Sequence, residues 1–381
     1  MRSVRILRLI ARMNIGGPAI QITGLIKNLP AQEFTQNLVI GYCERDEVDY
    51  LDVNQVDLNC TRIEGFGRSL SLLSDLKALA EIRREIRAFS PDIIHTHTFK
   101  AGFLGRIAAI STFKTQVRVH TFHGHLLHGY FGRFKTQVII WIERILAFFT
   151  THLIAVGSQV RDELISAKIG KLENYTIIGP GLEIGELPNR EISLKSFEIA
   201  EDKFVVSWIG RVVAVKAPHR ILEIANECKV RSLNIEFVVA GDGPLLNELK
   251  EHALSKNLPI TFLGWQSNIE SILSISDLVM LTSINEGTPV SLIQAQMAGI
   301  PVLSTDVGSV SEVIINNRSG FCLMYSAKSF ADKIELLAND DELRSTFGTL
   351  GRAYALEKFS LKKLVFEHRD LYRKLFNQSN S

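Results

Sequence analysis

The sequence predicts an α/β protein: two doubly wound parallel-sheet domains in tandem, closed by a helical C-terminus. Three observations lead there. The chain has 381 residues, long for one core, and two domains of about 180 residues are the better expectation. Apolar runs of strand length alternate with helical patterns in two series, the first from Val4 to Ile178 and the second from Phe204 to Leu323; such alternation is the mark of a parallel sheet with covering helices. Between the series, Gly179–Ala200 (GPGLEIGELPNREISLKSFEIA) holds three glycines and two prolines without sustained periodicity and reads as a linker. The expected division is 1–180, a linker at 181–200, a second domain over 201–357 and a final helix within 358–381.

Taken in order, Val4–Ile10 is the first strand. Arg2, Arg5, Arg8 and Arg12 thread this apolar run, whereas a secretory leader would have an uninterrupted apolar core. The loop Ala11–Pro18 (ARMNIGGP) follows, then an amphipathic helix to about Leu29. Gly16 and Gly17 sit at the end of strand one, where open α/β sheets bind ligands and where a bare backbone lets one approach; a glycine pair alone is more often only a turn. Gln36–Tyr42 is the second strand. Leu70–Ala88 is a helix, with Leu72, Leu73, Leu76, Leu79, Ile82 and Ile86 at helical spacing. Strands are expected at Asp92–His95, Val117–Thr121, Ile154–Val156 and Thr176–Ile178. In the second series they are expected at Phe204–Ile209, Ile235–Ala240, Ile260–Leu263, Leu278–Leu281, Val302–Ser304 and Gly320–Leu323. Ala327–Ala338, Asp341–Leu356 and Leu361–Phe376 read as the terminal helices.

Composition narrows the function classes. Hydrophobic content of 46% with 22% charged residues is ordinary for a globular enzyme. Residues 1–190 hold 23 Lys/Arg against 18 Asp/Glu, a balance of +5, and the remainder holds 20 against 23, a balance of −3. Ile93–Ile142 carries six Lys/Arg and six of the ten histidines with no acid. That stretch is a solvated basic face, a cleft for phosphate-bearing substrates or a contact with an anionic membrane; charge alone does not separate these. Cys43, Cys60, Cys228 and Cys322 lie far apart with no CxxC, which points to a reducing compartment and away from structural zinc. No run reaches about 18 uninterrupted apolar residues, so no membrane span is expected; the longest approach, Val138–Val156, is broken by Glu143 and Arg144.

The chemistry concentrates in Ser283–Glu312 (SINEGTPVSLIQAQMAGIPVLSTDVGSVSE), which reads as loop, helix, strand, loop. Thr288 suits an N-cap and Pro289 a first helical residue, and Gly299 is the stop. A helix start at Thr288–Val290 offers unpaired N–H groups and partial positive charge to a phosphate. Glu286 and Gly287 precede it, and a carboxylate there accepts hydrogen bonds from sugar hydroxyls. Upstream, Gly210 and Arg211 follow a buried strand and Lys216 comes five residues later; two cations at a strand's carboxyl end suit a diphosphate leaving group. Ala240–Pro244 (AGDGP), with Gly243, turns from strand into helix and is not a dinucleotide fingerprint. Trp265 stacks on a base or covers the core. His123 (HTFHGH) follows the strand Val117–Thr121 and suits a sugar or phosphate contact, though a single histidine is more often structural. His125 and His128 add a metal reading, which the lack of acid and cysteine disfavours.

The stretch EGTPVSLIQAQMAGIPVL followed by DVGSVSE resembles the signature of the retaining GT-B glycosyltransferases of family 4, and GR(x4)K at Gly210–Lys216 matches it also. The resemblance implies the GT-B fold: two facing Rossmann-like domains with a cleft between them, the last helix packing back on the first domain. It implies that Glu286 holds the donor sugar, that Arg211 and Lys216 stabilise the departing diphosphate, and that Gly16, Gly17, Gly243 and His123 line the donor site. The departure is Gln294, where the family carries a second glutamate on the ribose. A carboxamide there replaces a charged hydrogen bond by a neutral one, worth about 1 kcal/mol. The expected activity is retaining, metal-independent sugar transfer from a nucleotide diphosphate sugar, UDP-sugar favoured, to a glycan or lipid-linked acceptor in surface polysaccharide synthesis. No cofactor and no nucleic acid is expected. The expected location is the cytoplasm, with peripheral contact on the inner face of the plasma membrane through Lys100–Lys135. A sensor or partner subunit that binds nucleotide sugar without turnover is the alternative that Gln294 motivates. An epimerase or phosphorylase is disfavoured by the EGTP stretch, and a hydride-transfer enzyme by the missing fingerprint.

Overall fold

The computed structural model describes residues 2–44, 47–67, 71–112, 116–124 and 132–380. The chain divides into two units, one of Met1–Leu182 with Leu361–Ser381 and one of Glu183–Ser360.

In the first unit the alternation runs β1 (Val4–Ile10), α1 (Gly17–Asn28), β2 (Phe34–Ile40), α2 (Tyr50–Val53), β3 (Cys60–Arg62), α3 (Leu72–Phe89), β4 (Ile93–His97), α4 (Phe99–Ser111), β5 (Val117–Phe122), α5 (Arg133–Phe148), β6 (His152–Ala155), α6 (Ser158–Ser166) and β7 (Tyr175–Ile177). The sheet is parallel in the order β3-β2-β1-β4-β5-β6-β7. Ile6, Leu7, Leu9 and Ile10 are all buried, as a strand covered on both faces requires. The second unit runs α7 (Arg190–Ser196), β8 (Phe204–Ile209), α8 (His219–Val230), β9 (Ile235–Ala240), α9 (Leu246–Ser255), β10 (Ile260–Gly264), α10 (Ile269–Ile275), β11 (Leu278–Leu281), α11 (Val290–Met297), β12 (Val302–Thr305), β13 (Gly320–Leu323), α12 (Ala327–Asn339) and α13 (Asp341–Phe359). Its parallel sheet has the order β10-β9-β8-β11-β12-β13. In each sheet the strand order reverses once, between β1 and β4 and between β8 and β11. Loops at the carboxyl ends diverge there and leave room for a ligand.

The last helix, α14 (Leu361–Ser379), belongs to the first unit. Leu364, Leu371, Tyr372 and Leu375 pack on Val4, Ile6, Ile93, Val117 and Val119. Arg369 and Arg373 clasp Glu33 at 2.5 and 2.6 Å.

The structure corrects several sequence expectations. The stretch read as a linker contains α7, capped by Asn189 Oδ1, which accepts from Ile192 N at 3.1 Å. The chain passes between the units at Leu182/Glu183, so most of that stretch is part of the second unit. The short elements β3 and α2 lay below the length at which periodicity shows. The second strand begins at Phe34, two residues before its expected start. Leu70, expected to open α3, is outside the described residues, as are His125 and His128.

Candidate active site

The switch point of the second sheet brings together the loop after β8 and the loop after β11. Ile284 N donates to Val215 O at 2.8 Å. The Thr282 hydroxyl accepts from Trp208 Nε1 at 3.1 Å and lies 3.1 and 3.2 Å from the Lys216 and Ala217 carbonyls. From α8, Arg220 donates to Thr282 O at 2.8 Å while its guanidinium lies 4.1 Å from the Tyr325 ring centre. Thr305, ending β12, donates to Ser283 O at 2.7 Å. The loop after β12 closes the other side: Ser309 N donates to Gly287 O at 3.1 Å. Gly308, at φ +55°, lies so close that a Cβ would sit 1.8 Å from Glu286 O, so only glycine fits.

This lacing fixes Glu286, whose side chain is 8% exposed. Its Oε1 accepts from Lys216 Nζ at 2.5 Å and from Ser283 Oγ at 2.5 Å. Both contacts fall on one oxygen, so Oε2 takes no hydrogen bond among the described residues. The sequence reading gave Glu286 to a sugar and Lys216 to a diphosphate as separate contacts. In the structure the two are an ion pair, because a carboxylate drawn from water needs a charged partner and the β8–β11 adjacency supplies one.

Arg211 directly follows Gly210 at the end of β8. Its side chain is exposed and has no partner among the described residues. Gly243 closes the neighbouring turn, where a Cβ would lie 2.4 Å from Val212 O. The helix α11 starts at Val290, and its N-cap is Pro289 rather than Thr288; Pro289 itself makes no side-chain cap bond. The backbone of Pro289 is extended (φ −73°, ψ 111°), so the helix begins one residue later than the sequence pattern suggests. Gln294 is half-buried on α11, with no partner for its carboxamide among the described residues. Trp265 is 37% exposed just after β10. Ser283, Thr282 and Arg220 went unread in the sequence; the available signal was a hydroxyl pair directly after the apolar β11.

Three candidates lie in the first unit. Gly16, at φ +156°, precedes α1, and Gly17 is its first residue. His123 follows β5, with its Nε2 3.0 Å from His97 Nδ1. Behind it runs a column of buried rings: the His97 and His95 ring centres are 4.0 Å apart, and those of His95 and His368 6.0 Å. Arg8 Nη1 lies 3.2 Å from His95 Nδ1 and donates to Tyr372 Oη at 2.8 Å. A guanidinium only donates, so His95 Nδ1 is the acceptor and Nε2–H donates to Thr121 Oγ1 at 2.7 Å. Burial pushes His123 down to about 4; burial, with Arg8 adding, pushes His368 down to about 3. His123 is therefore a neutral imidazole at pH 7. It can hydrogen-bond a ligand but brings no positive charge to a phosphate. Among the described residues no group of three His, Cys, Asp or Glu could hold a metal ion, and no helix is long and apolar enough to cross a membrane.

Comparison with known proteins bears on the whole chain. Residues 189–354 match the family described as glycosyl transferases group 1, and residues 16–181 match the glycosyl transferase 4-like domain. The capsular polysaccharide biosynthesis glycosyltransferase CapM of Staphylococcus aureus is 27% identical, over 87% of this chain and 89% of that protein. The UDP-Gal:alpha-D-GlcNAc-diphosphoundecaprenol alpha-1,3-galactosyltransferase of Escherichia coli is 28% identical, over 90% of each. Among solved structures, Anabaena Alr3699/HepE in complex with UDP and glucose superposes with a TM-score of 0.83 at 20% identity, covering 97% of this chain and 99% of that one. With both units matched by adjoining family descriptions and the fold shared throughout, the chain belongs to the GT-B glycosyltransferases.

Proposed function

We propose that the protein transfers a sugar, with retention of configuration, from a UDP-sugar to a glycan or lipid-linked acceptor in surface polysaccharide assembly. One observation carries the donor half of this reading. A buried carboxylate whose second oxygen takes no hydrogen bond among the described residues, at the carboxyl end of β11, and an arginine without a partner among them, at the carboxyl end of β8, share the switch point of a parallel sheet. Glu286 Oε2 takes a hydroxyl of the donor sugar. Arg211, Lys216 and the N–H groups at Thr288–Val290 take the diphosphate, whose charge grows as the glycosidic bond breaks. Lys216 stays on Glu286 or turns to the phosphate, and either contact keeps the site balanced. No side chain stands out as a covalent nucleophile, so the acceptor attacks from the leaving-group face and the departing phosphate takes its proton. These cations make a metal unnecessary. The names of the relatives favour UDP as the nucleotide and a diphospho-lipid or capsular glycan as the acceptor. The four free cysteines support a cytoplasmic setting.

The test is incubation with a panel of UDP-sugars and lipid-linked acceptors, with and without EDTA. The anomeric configuration of the product is then read by NMR. Retention in the presence of EDTA is expected; inversion or loss on chelation contradicts the mechanism. A second reading, a nucleotide-sugar sensor, is favoured by Gln294 alone. It predicts nucleotide binding with neither transfer nor slow donor hydrolysis.

A further inference from the structure

The acid-free stretch Ile93–Ile142 turns much of its charge inward. Lys100 is buried and paired with Asp75 at 2.8 Å. Arg106 is buried and makes two bonds to Glu143, at 2.7 and 2.8 Å. Both are thereby removed from the basic face expected over Lys100–Lys135. The histidines of the same stretch carry more. Hydrogen-bond chemistry fixes the ring hydrogens around them. His95 Nδ1 accepts from Tyr372 Oη at 2.6 Å, so its hydrogen is on Nε2. His368 Nδ1 lies 3.0 Å from Leu364 O; a carbonyl only accepts, so that hydrogen is on Nδ1. His97 and His123 share one hydrogen, with His97 Nδ1 and His123 Nε2 3.0 Å apart. Both rings are neutral at pH 7, because burial pushes each of them down. Either His97 donates from Nδ1 and its Nε2 is bare, or His123 donates from Nε2 and His97 carries its hydrogen on Nε2. His97 Nε2 is buried and has no hydrogen-bond partner among the described residues. The second arrangement therefore buries an N–H without an acceptor. It also sets that N–H in a positive field. Arg8 is fully buried, its bonded partners Gln36, His95 and Tyr372 are all neutral, and its charge reaches His97. A positive field favours a lone pair over an N–H.

We propose that His97 is a positioning residue: its Nδ1–H donates to His123 Nε2, which holds the His123 ring and leaves His123 Nδ1–H as the donor offered to a ligand oxygen. His123 is half-buried just past β5, at the carboxyl end of the first sheet, whereas His97 is fully buried and acts only through it. The pairing decides what His123 can read. An ionised phosphate oxygen only accepts, so a bare imidazole nitrogen has no bond to offer it, while an N–H serves it or a sugar oxygen equally. A neutral histidine thus meets the donor without bringing charge. The His97 ring is itself held. His95 stacks on it with centres 4.0 Å apart, and His95 is tied to Arg8 of β1, Thr121 of β5 and Tyr372 of α14. The inference rests on the proposed function for the identity of the ligand; the placement of the hydrogen does not.

The full chain is isotope-labelled in its histidine ring nitrogens, and long-range proton–nitrogen NMR correlations read which nitrogen of each ring carries the hydrogen. Hydrogen on Nδ1 of both His97 and His123 is expected in the wild type. His97→Asn sets an amide where Nδ1 stood and should keep His123 in that form. His97→Phe keeps the stack on His95 but removes the donor, and should release His123 to carry its hydrogen on Nε2. Hydrogen on His123 Nε2 in the wild type, or an unchanged His123 signal in His97→Phe, overturns the proposal. The wild-type spectrum decides by itself if His97→Phe does not fold. In transfer assays with the UDP-sugar panel, His97→Phe should lose about tenfold in kcat/KM, and His97→Asn should recover most of it. In a His123→Ala background His97→Phe should cost nothing further, since the two act as one unit; additive losses overturn the positioning role. Spectra as expected in a protein that transfers nothing to any acceptor would keep the His97–His123 pairing and sink the proposed function.

Discussion

Glu286 owes its place to residues far from it in sequence, and that decides what its replacement should do. Lys216 is 70 positions away, and only the pairing of β8 with β11 brings the two together. Glu286 itself was legible, as the one carboxylate inside a loop that opens a helix. The ion pair was not, because strand order is a property of the sheet and not of any local pattern. Glu286→Gln keeps the side-chain shape and removes the charge. Loss of a preorganised contact to the developing charge lowers kcat by about a hundredfold or more, and turnover within a few-fold of wild type would remove the sugar-holding role. It also leaves Lys216 facing a neutral carboxamide, so the same variant should melt lower; Lys216→Met beside Glu286→Gln should recover part of that loss. Gln294 makes the complementary case. Its carboxamide has no partner among the described residues, so Gln294→Glu displaces no protein contact. If position 294 meets ribose hydroxyls, the variant binds UDP several-fold more tightly by calorimetry, in line with about 1 kcal/mol for a charged hydrogen bond. Unchanged or weaker binding would place it elsewhere.

At the scale of elements, the sequence was legible wherever burial on both faces makes a strand a continuous apolar run. Val4–Ile10, Phe204–Ile209, Ile235–Ala240, Leu278–Leu281 and Gly320–Leu323 stand where the pattern put them. It failed for Cys60–Arg62, a three-residue strand, and for Arg190–Ser196, a seven-residue helix among glycines and prolines whose Asn189 cap was its only cue. The exposed side of α5, with Phe134, Trp141 and Phe148, was hidden for another reason. Its residues stand in an apolar stretch that periodicity assigns to a helix, but nothing local says which side a neighbour covers. The sequence showed Asp306–Ser309 only as the loop after a strand; the structure supplies the reason for its glycine. Gly308→Ala must move Cβ from 1.8 Å of Glu286 O and relieve a left-handed φ at once. The loop then shifts, and Glu286 with it. We expect a fall in kcat comparable to that of Glu286→Gln, with UDP binding weakened less, since Arg211 and the α11 N-terminus remain. Wild-type turnover in Gly308→Ala would show that this loop does not position the carboxylate.

Across the whole molecule, the histidine distribution sets how the chain meets acid. Sequence counting placed six of ten histidines in an acid-free stretch but could not tell whether they faced water. In the structure His95, His97, His120 and His368 are fully buried in the first unit, whereas His219 and His252 of the second unit are exposed. Burial, with Arg8 and neighbouring imidazoles adding, holds His95 and His97 well below the ordinary histidine range. Burial, with Arg106 adding, does the same for His120. His123 is pushed down to about 4 and His368 to about 3. The unfolded chain takes protons near pH 6.5, which the folded chain refuses until well below that. These groups therefore contribute stability that is fully present above pH 6.5 and is lost as pH falls through 6.5 toward 4. Each one still neutral in the fold adds a slope of up to about 1.4 kcal/mol per pH unit. The second unit has no buried histidine, so between pH 7 and 5 the first unit should lose stability while the second changes little. Scanning calorimetry at pH 7.5, 6.5 and 5.5 should show one transition moving down and separating from a steadier one. Limited proteolysis at pH 5.5 should cut first within residues 1–182. His368→Phe, which keeps a ring among His95 and Tyr372 and removes one titrating site, should flatten the pH dependence. A melting profile that falls equally for both units, or one that His368→Phe leaves as steep, would show that the buried imidazoles do not set acid stability.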